Sequence, residues 1–221
     1  MRAARVLLRA SDGRRIIIRP LKRDDILPLM RFANTLSREK ETNQDLGIVS
    51  LDKRVAKEEE LEFLNRIIAG RRTKDEISLA AFDGARMVGH CHVSRRRQRD
   101  VRHTGILGIS VIDGYRGLGI GSRLTAEVLE QTLRVGVWLV ELEVMGINEA
   151  AIGLYEKMGF RRAGVIPNKI LRKGRHIDIV VMYADLRGSD KFLSPARREV
   201  DTRSYHRTHV LRKDIGADQA R

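Results

Sequence analysis

A glycine-rich segment from Arg116 to Gly121 has the residue types and spacing that suit binding of a phosphate group. Backbone N–H groups at a turn between a strand and a helix, together with the positive end of the helix dipole, bind phosphate oxygens. Glycine at such a turn allows close approach of the backbone and positive φ angles. We therefore predict a phosphate-bearing ligand. The residues expected to contact it are Arg116, Gly117, Leu118, Gly119, Ile120, Gly121 and Ser122.

The spacing of these glycines excludes two common classes of nucleotide site. A loop of the ATP-hydrolysing type requires a lysine directly after its last glycine, and no lysine stands at or near Gly121. A dinucleotide fingerprint requires a third glycine where this chain has Leu124. The sequence therefore supports neither ATP hydrolysis nor nicotinamide binding.

A second motif follows the glycine-rich segment after an expected helix and strand. It consists of Asn148, Ala151, Leu154, Tyr155, Lys157, Gly159 and Phe160. This motif resembles the N-x-x-A-x-x-L-Y-x-K-x-G-F signature of the GNAT superfamily of N-acetyltransferases, and the glycine-rich segment resembles its R/Q-x-x-G-x-G/A signature. The opening run IRPLKRDD is also similar to the first strand and helix of these enzymes. The resemblance therefore covers about residues 16–186.

This resemblance implies an α/β fold with a mixed, mainly antiparallel sheet of six to seven strands, flanked by about four helices. It also implies transfer of an acetyl group from acetyl-CoA, the donor cosubstrate, to a primary amine. The glycine-rich segment would hold the pyrophosphate of acetyl-CoA. Backbone groups of Ile109, Ser110 and Val111 would bind the pantetheine arm where two strands splay apart. Asn148 would hydrogen-bond the same arm, cap the helix that follows, or do both.

Acetyl transfer to an amine requires a proton donor for the departing thiolate and a proton acceptor for the amine. The resemblance assigns the first role to Tyr155, which would also contact the donor; the alternative is that its ring simply packs against the sheet. Glu141 and Glu143 share one face of a strand, and Glu143 is our candidate base, acting through water. In the alternative interpretation these two residues bind each other or nearby arginines. His103 is a weaker candidate for the base.

Three further features are interpreted as structural. His90 and His92 lie on one strand face like a metal pair, but no third ligand is evident, so no metal site is predicted. Cys91 faces the other way and is expected to be a small buried hydrophobe. The cluster Arg95, Arg96, Arg97 and Arg99 lies in a loop at the opposite end of the sheet from the glycine-rich segment. It is expected to be a solvated turn or a surface for an acidic protein or RNA.

The elements that must position these residues follow from turn signals and apolar spacing. Asp-Gly pairs at 12–13 and 83–84 predict two hairpins. Strands are expected at 6–8, 16–18, 76–82, 86–93, 106–112, 137–144, 160–165 and 176–183, and helices at 26–36, 51–69, 122–135 and 149–158. Ser50 would cap the second helix and Gly70 would end it. Pro167 and Asn168 are assigned to a loop, and residues 173–174 to a turn.

The composition is that of a basic globular chain. Its 221 residues include 33 Arg and 10 Lys, and the formal net charge is +14. A single cysteine excludes an intrachain disulfide and a cysteine-based zinc site, which suits a cytoplasmic protein. The sequence shows no secretory leader and no apolar run long enough to span a membrane. We expect an N-terminal extension at 1–15 that could add a strand, an acetyltransferase domain at 16–186 and a basic C-terminal tail at 187–221, loosely docked or disordered.

The predicted function is therefore N-acetylation of a primary amine by acetyl-CoA. A protein N-terminus, a lysine side chain and a small-molecule amine are all left open as acceptors. One alternative is a relative that binds CoA as a sensor without catalysis. Another is a basic RNA- or ribosome-associated module, which the aromatic content of 5% does not favour because stacking on bases needs aromatic rings. No membrane partner is expected, and a homodimer is compatible with the sequence.

Overall fold

The computed structural model describes residues 5–43, 46–47 and 56–188, which form one mixed α/β unit. Its strands are β1 (Val6–Arg9), β2 (Arg15–Arg19), β3 (Glu76–Asp83), β4 (Arg86–Arg95), β5 (Thr104–Val111), β6 (Leu139–Met145), β7 (Arg161–Arg172) and β8 (Arg175–Asp185). Its helices are α1 (Ile26–Thr42), α2 (Lys57–Thr73), α3 (Ile120–Arg134) and α4 (Glu149–Lys157). Short 3-10 turns lie at Arg23–Asp25, Arg99–Val101 and Leu186–Gly188.

The eight strands form one sheet in the order β1-β2-β3-β4-β5-β6-β8-β7. Every neighbouring pair is antiparallel except β5 and β6, which are parallel. The predicted fold class, a mixed and mainly antiparallel sheet with four helices, is confirmed. The strand count reaches eight because the residues assigned to the N-terminal extension pair with β2 as an edge strand.

The helices cover both faces of the sheet. On β4 the ring of His90 meets Phe63 of α2, whereas the thiol of Cys91 meets Thr125 of α3. Since consecutive side chains of a strand point to opposite faces, α2 and α3 lie on opposite sides. We call these sides the α2 face and the α3 face. Helix α4 lies on the α3 face, because its Leu154 and Ile109 of β5 both lie near Gly121 of α3, and Ile109 is registered against Cys91.

Helix α2 corrects one predicted boundary. Gly70 was predicted to end this helix, but the helix continues to Thr73 and ends at Lys74, which has a φ of 62°. A Cβ at Gly70 would lie 2.4 Å from Cγ of Glu76, so this glycine is required by close packing against β3 rather than by a helix end. The predicted cap at Ser50 and the predicted first turn of α2 lie outside the described residues.

Three other predicted boundaries also moved. Helix α1 continues from its predicted end near residue 36 to Thr42, and α3 begins at Ile120 rather than at Ser122. The loop predicted at Pro167 and Asn168 is instead a bulged part of β7, where the register with β8 shifts between Ile166 and Ile170. The turn at residues 173–174 is present, with positive φ at both positions.

A gap between β5 and β6 is the feature of the sheet that positions the site. The two strands pair over three residues, Thr104–Ile106 with Leu139–Glu141. Beyond Ile106 each strand continues, but they no longer pair, so they splay apart. Strand β5 then leads into the glycine-rich segment, and β6 leads into α4.

Among the described residues, no helix is long and apolar enough to cross a membrane.

Candidate functional site

The glycine-rich segment forms an open turn at the N-terminus of α3. Gly117 and Gly119 have φ angles of 73° and 82°, and a Cβ added at either position would meet no atom within 4 Å. These glycines are therefore required by backbone conformation, not by crowding. Gly119 is the N-cap of α3, and within the described ranges no side chain caps this helix. The first amides of α3 are thus available to an anion.

The third glycine of the segment is required neither by backbone conformation nor by crowding. Gly121 lies inside α3 and lacks a positive φ. A Cβ there would lie 3.5 Å from Leu154 of α4, which is ordinary van der Waals contact. Gly121 therefore sits where α3 and α4 approach each other, next to the open turn.

Hydrogen bonds to the first hairpin and to β3 hold the glycine-rich turn in place. The backbone N–H of Ser11 donates to the carbonyl of Leu118 at 3.4 Å, and the guanidinium of Arg14 donates to the carbonyl of Gly114 at 2.8 Å. The hydroxyl of Tyr115 donates to Asp83 at 2.9 Å. These contacts come from elements far away in sequence, so the turn is fixed before any ligand arrives.

Arg116, which was predicted to contact phosphate, is engaged with the protein itself. Its Nε donates to the carbonyl of Val111 at 2.8 Å, and its guanidinium pairs with the carboxylate of Glu39 on α1. Glu39 also accepts the backbone N–H of Asp113 at 2.8 Å. No sequence pattern indicates Glu39, because it lies 77 residues from Arg116. Ser122, the last residue of the predicted set, is exposed in the first turn of α3.

The last residues of β5 present a backbone edge that β6 does not pair with, on which the carbonyl of Val111 is already bound by Arg116. Ile109, Ser110 and Val111 are registered against β4 on one side, opposite Cys91, His90 and Gly89. On their other side lies the gap, because β6 is paired to β5 no further than Ile106. An extended chain with amide groups can hydrogen-bond such an edge as an added strand would.

Tyr155 is a buried residue of α4 on the α3 face. It is 7% exposed, and its ring lies 5.7 Å from that of Phe160. Burial raises the pKa of the Tyr155 phenol above its ordinary value of 10.0, and nearby Cys91 adds a smaller effect in the same direction. The phenol is therefore fully protonated at neutral pH and is able to act as a proton donor.

Asn148 caps α4. Its Oδ1 accepts the backbone N–H of Ala151 at 3.1 Å, so the capping interpretation of this residue holds. Its Nδ2 faces the chain near Gly47, where an added Cβ would lie 3.4 Å away. A side-chain amide thus keeps a donor group at the point where β6 enters α4.

The two glutamates of β6 share the α2 face, as their spacing predicted. Glu141 is registered against Ile106, and its carboxylate pairs with Arg96 at 2.9 Å. Glu143 accepts two hydrogen bonds from Nζ of Lys169, at 2.6 and 2.7 Å. Neither carboxylate binds the other. Sequence reasoning missed Lys169 because it placed this part of β7 in a loop.

His103, the other candidate base, stacks on a tryptophan ring. The ring of His103 stacks on Trp138, with 4.3 Å between the ring centroids. The guanidinium of Arg187 covers that indole at 3.4 Å. This stack lies beside the start of β6, where the backbone carbonyl of His103 accepts N–H groups of Trp138 and Leu139. It is therefore far from the open end of the gap.

His90, His92 and Cys91 behave as buried groups. The rings of His90 and His92 stack with centroids 5.4 Å apart, and burial lowers both pKa values, that of His90 to about 3. Burial raises the pKa of the Cys91 thiol to about 12. In the part of the chain that the structure describes, no three His, Cys, Asp or Glu residues come together as a metal site.

The arginine cluster lies at the end of the sheet away from the glycine-rich segment, as its place between β4 and β5 requires. Arg95 donates to the carbonyl of Arg102 at 2.6 Å, and Arg96 pairs with Glu141. At least these two arginines are engaged within the protein.

Comparison with known proteins supports one family. The chain is 38% identical to the N-alpha-acetyltransferase RimI of Mycobacterium tuberculosis over 87 residues, which are 39% of this chain and 53% of that protein. The chain thus spans about half the length of the curated relative it matches. It superposes on a GNAT-family acetyltransferase from Streptococcus pneumoniae with a TM-score of 0.68 and 28% identity, covering 77% of this chain and 99% of that one.

A third known protein is similar to this chain in fold. YncA from Salmonella typhimurium, solved with its cofactor acetyl-CoA, superposes with a TM-score of 0.66 at 18% identity, covering 79% of this chain and 96% of that one. A sequence model of the acetyltransferase (GNAT) family matches residues 42–160, more than half of the chain. This range contains the glycine-rich segment, the gap and Tyr155. The chain therefore belongs to the acetyltransferase (GNAT) family.

Proposed function

We propose that this protein transfers an acetyl group from acetyl-CoA to a primary amine. The observation that carries this proposal is the gap between β5 and β6, which has an uncapped helix N-terminus at one end and buried Tyr155 beside it. One end is suited to phosphates and the middle to an extended amide chain. Tyr155, a proton donor, lies near Cys91 of β4, which is registered against Ile109 at the edge of the gap. Phosphate-binding amides, an open strand edge and a proton donor therefore border the same gap, as a site for acetyl-CoA requires.

The residues present fit this donor. Backbone amides of 117–122 would hold the pyrophosphate, helped by the dipole of α3. The free edge of Ile109, Ser110 and Val111 and the Nδ2 group of Asn148 would bind the pantetheine arm. Arg116 would act mainly by fixing the turn, because its guanidinium is already held by Glu39. Bound acetyl-CoA would supply a thioester as the acetyl source.

Tyr155 would give its proton to the departing thiolate. The phenol has a pKa above 10, whereas an ordinary thiol has a pKa near 8.5. Transfer of the proton from the phenol to the thiolate is therefore unfavourable in free energy if the thiol keeps its ordinary pKa. A thiolate formed in the same buried place is also desolvated, which raises its own pKa and reduces the difference. The raised pKa of Tyr155 keeps the donor protonated, so every molecule is competent at neutral pH.

Glu143 would take the proton of the acceptor ammonium, directly or through water. It lies on β6 where the strand borders the gap, and its carboxylate already holds an ammonium group, that of Lys169. The carboxylate is half exposed, so an acceptor can approach it from solvent on the α2 face. Glu141 is less suited to this role because it lies where β5 and β6 still pair and is held by Arg96.

The acceptor would be a primary amine that reaches Glu143 from the open α2 face. An α-amine has an ordinary pKa of about 7.7–8.0 and a lysine amine one of about 10.4. The α-amine is therefore deprotonated far more often at neutral pH. A peptide N-terminus is the acceptor we expect to react fastest, and the similarity to an N-alpha-acetyltransferase of Mycobacterium tuberculosis supports the same class.

The test measures thiol release from acetyl-CoA with a panel of peptides, a lysine-containing peptide with a blocked N-terminus, and small amines. Tyr155→Phe is measured beside the wild type, and the Kd for CoA is determined for both. We expect kcat to fall by about 10²–10⁴-fold in the variant with little change in the Kd for CoA. Tight CoA binding without release for any acceptor would favour a non-catalytic CoA sensor. Release unchanged in Tyr155→Phe would remove the acid role.

A further inference from the structure

The side chain of Lys169 places a primary amine of the protein itself on the proposed base. Its Nζ donates to both carboxylate oxygens of Glu143, at 2.6 and 2.7 Å. Glu143 lies on the α2 face beside the open part of the gap. An acceptor amine would have to reach this same carboxylate. Lys169 thus occupies the place of the substrate ammonium.

A bulge in β7 directs Lys169 to this place. In the sheet order β6-β8-β7, the side chain must cross β8 to reach β6. The register of β7 shifts between Ile166 and Ile170, and Asn168 within that shift has a φ of 55°. The backbone N–H of Asn168 donates to Asp178 at 2.8 Å and anchors the bulge to β8. The contact between Lys169 and Glu143 is therefore built into the fold of the hairpin.

We propose that Lys169 is a site of intramolecular acetylation by this same active site, an inference that rests on the proposed function. A bond forms between Nζ of Lys169 and the acetyl carbon, and the bond between that carbon and the sulfur of CoA breaks. One ammonium proton passes to Glu143 before the attack, and the thiolate takes the phenolic proton of Tyr155. The second proton leaves the nitrogen as the amide forms and restores the Tyr155 phenol. The products are Nε-acetyllysine, free CoA and one proton, which Glu143 releases to solvent, so atoms and charges balance without another reactant.

This modification would free the base for other acceptors. An acetylated lysine is neutral and no longer pairs with a carboxylate. Side chains of Lys169 and Glu143 are 36% and 51% exposed, and ion pairs this exposed are weak. An acceptor can therefore displace Lys169 before acetylation. The gain in kcat/KM for an external amine after acetylation is at most about fivefold.

The test incubates the full-length protein with isotopically labelled acetyl-CoA and no added acceptor, and follows each lysine by peptide mass spectrometry. Lys173 is the matched control, because it lies on the same hairpin but its Nζ faces the carbonyl of Glu41 at 3.3 Å. We expect Lys169 to be labelled faster than Lys173, at a rate per molecule that does not depend on protein concentration. We expect this labelling to disappear in Tyr155→Phe.

Labelling of Lys169 no faster than Lys173, or equal labelling in Tyr155→Phe, would overturn the proposal. A rate per molecule that rises with protein concentration would overturn its intramolecular form. External amines acetylated while Lys169 stays unlabelled would refute this inference and leave the proposed function intact, whereas no transfer to any amine would remove both.

Lys169→Gln, which imitates the neutral product, should lower KM for the peptide acceptor up to about fivefold with kcat little changed. An unchanged KM would remove the regulatory role.

Discussion

The carboxylate of Glu39 joins helix α1 to the rim of the glycine-rich segment through Arg116. One oxygen accepts the backbone N–H of Asp113 at 2.8 Å, and the other pairs with the guanidinium. Arg116 in turn binds the carbonyl of Val111, the last residue of β5. The end of β5, the turn and α1 therefore form one connected unit, in which an arginine predicted to bind a ligand also fixes the backbone that would bind it.

A double-mutant cycle on Glu39 and Arg116 measures this connection. We expect Arg116→Ala to weaken acetyl-CoA binding by about 3–10-fold, because the turn loses an anchor and Glu39 keeps an unpaired charge beside it. The double variant Glu39→Ala, Arg116→Ala should bind better than the sum of the single losses predicts. The expected coupling free energy is about 0.5–1 kcal/mol, since the pair is partly exposed. Calorimetric Kd values for all four proteins provide the measurement, and strict additivity would contradict it.

The glycines of the turn should differ in their tolerance of alanine. Gly119→Ala places a Cβ on a residue with a φ of 82°, which costs about 1 kcal/mol of folding free energy and shifts the amides of the turn. Gly121→Ala is the matched control, because this glycine is helical and its added Cβ would make ordinary contact with Leu154. Urea unfolding and the Kd for acetyl-CoA test both variants. Equal effects of the two substitutions would show that conformation is not the reason for Gly119.

Local signals were sufficient to predict most of the fold. The Asp-Gly pairs predicted both hairpins because each turn needs a residue with positive φ, Gly13 in the first and Gly84 in the second, and this requirement is local. Gly70 misled the prediction because a glycine can be required by a distant contact as well as by a helix end. Close packing of Glu76 against Gly70 is a tertiary contact, which no local pattern in α2 reveals.

The site was predictable where its residues act through local structure, and not where they act through partners. The open turn and the shared face of Glu141 and Glu143 follow from spacing alone. Their ion-pair partners, Glu39 for the turn and Lys169 for Glu143, come from elements 77 and 26 residues away. Such pairings depend on the order of strands and on the bulge of β7, which the sequence pattern did not reveal.

Glu60 should make the protein less stable at neutral and alkaline pH than in mild acid. Burial raises the pKa of this carboxyl from 4.5 to about 7, with a smaller effect from Glu59, and its Oε2 has no partner within the described ranges. The folded state thus binds a proton that the unfolded state releases, so stability falls as pH rises from about 4.5 to about 7. Glu60→Gln should raise the free energy of unfolding by on the order of 2 kcal/mol at pH 8 and by little near pH 4. An equal gain at both pH values would contradict this explanation.

His90 should contribute to loss of stability in acid. Burial, and secondarily His92, lower its pKa from 6.5 to about 3, so the unfolded chain takes up a proton that the folded chain excludes. Stability is therefore lost as pH falls from about 6.5 towards 3. His90→Leu keeps an apolar contact for Phe63 and removes this titration, so it should lose less stability than the wild type between pH 7 and pH 4.5. Exposed His176→Leu is the control, and an identical acid response of both variants would exclude the role of His90.

The pH dependence of acetyl transfer should show no alkaline loss from Tyr155 below pH 10. A proton donor is active in its protonated form, and burial raises the pKa of this phenol above its ordinary value of 10.0. The donor therefore stays protonated across the range in which the acceptor amine loses its proton, and kcat should rise with pH and then stay level. Stopped-flow measurement of thiol release between pH 6 and pH 10, with unfolding monitored in parallel, tests this expectation. A fall of kcat centred near pH 8 or 9 in protein that is still folded would contradict this expectation. It would mean that Tyr155 is ionised more easily than its burial allows, or that another group is the acid.

The Tyr155→Phe variant separates these two outcomes, because a phenylalanine has no proton to lose. The same fall of kcat in this variant would show that another group is the acid.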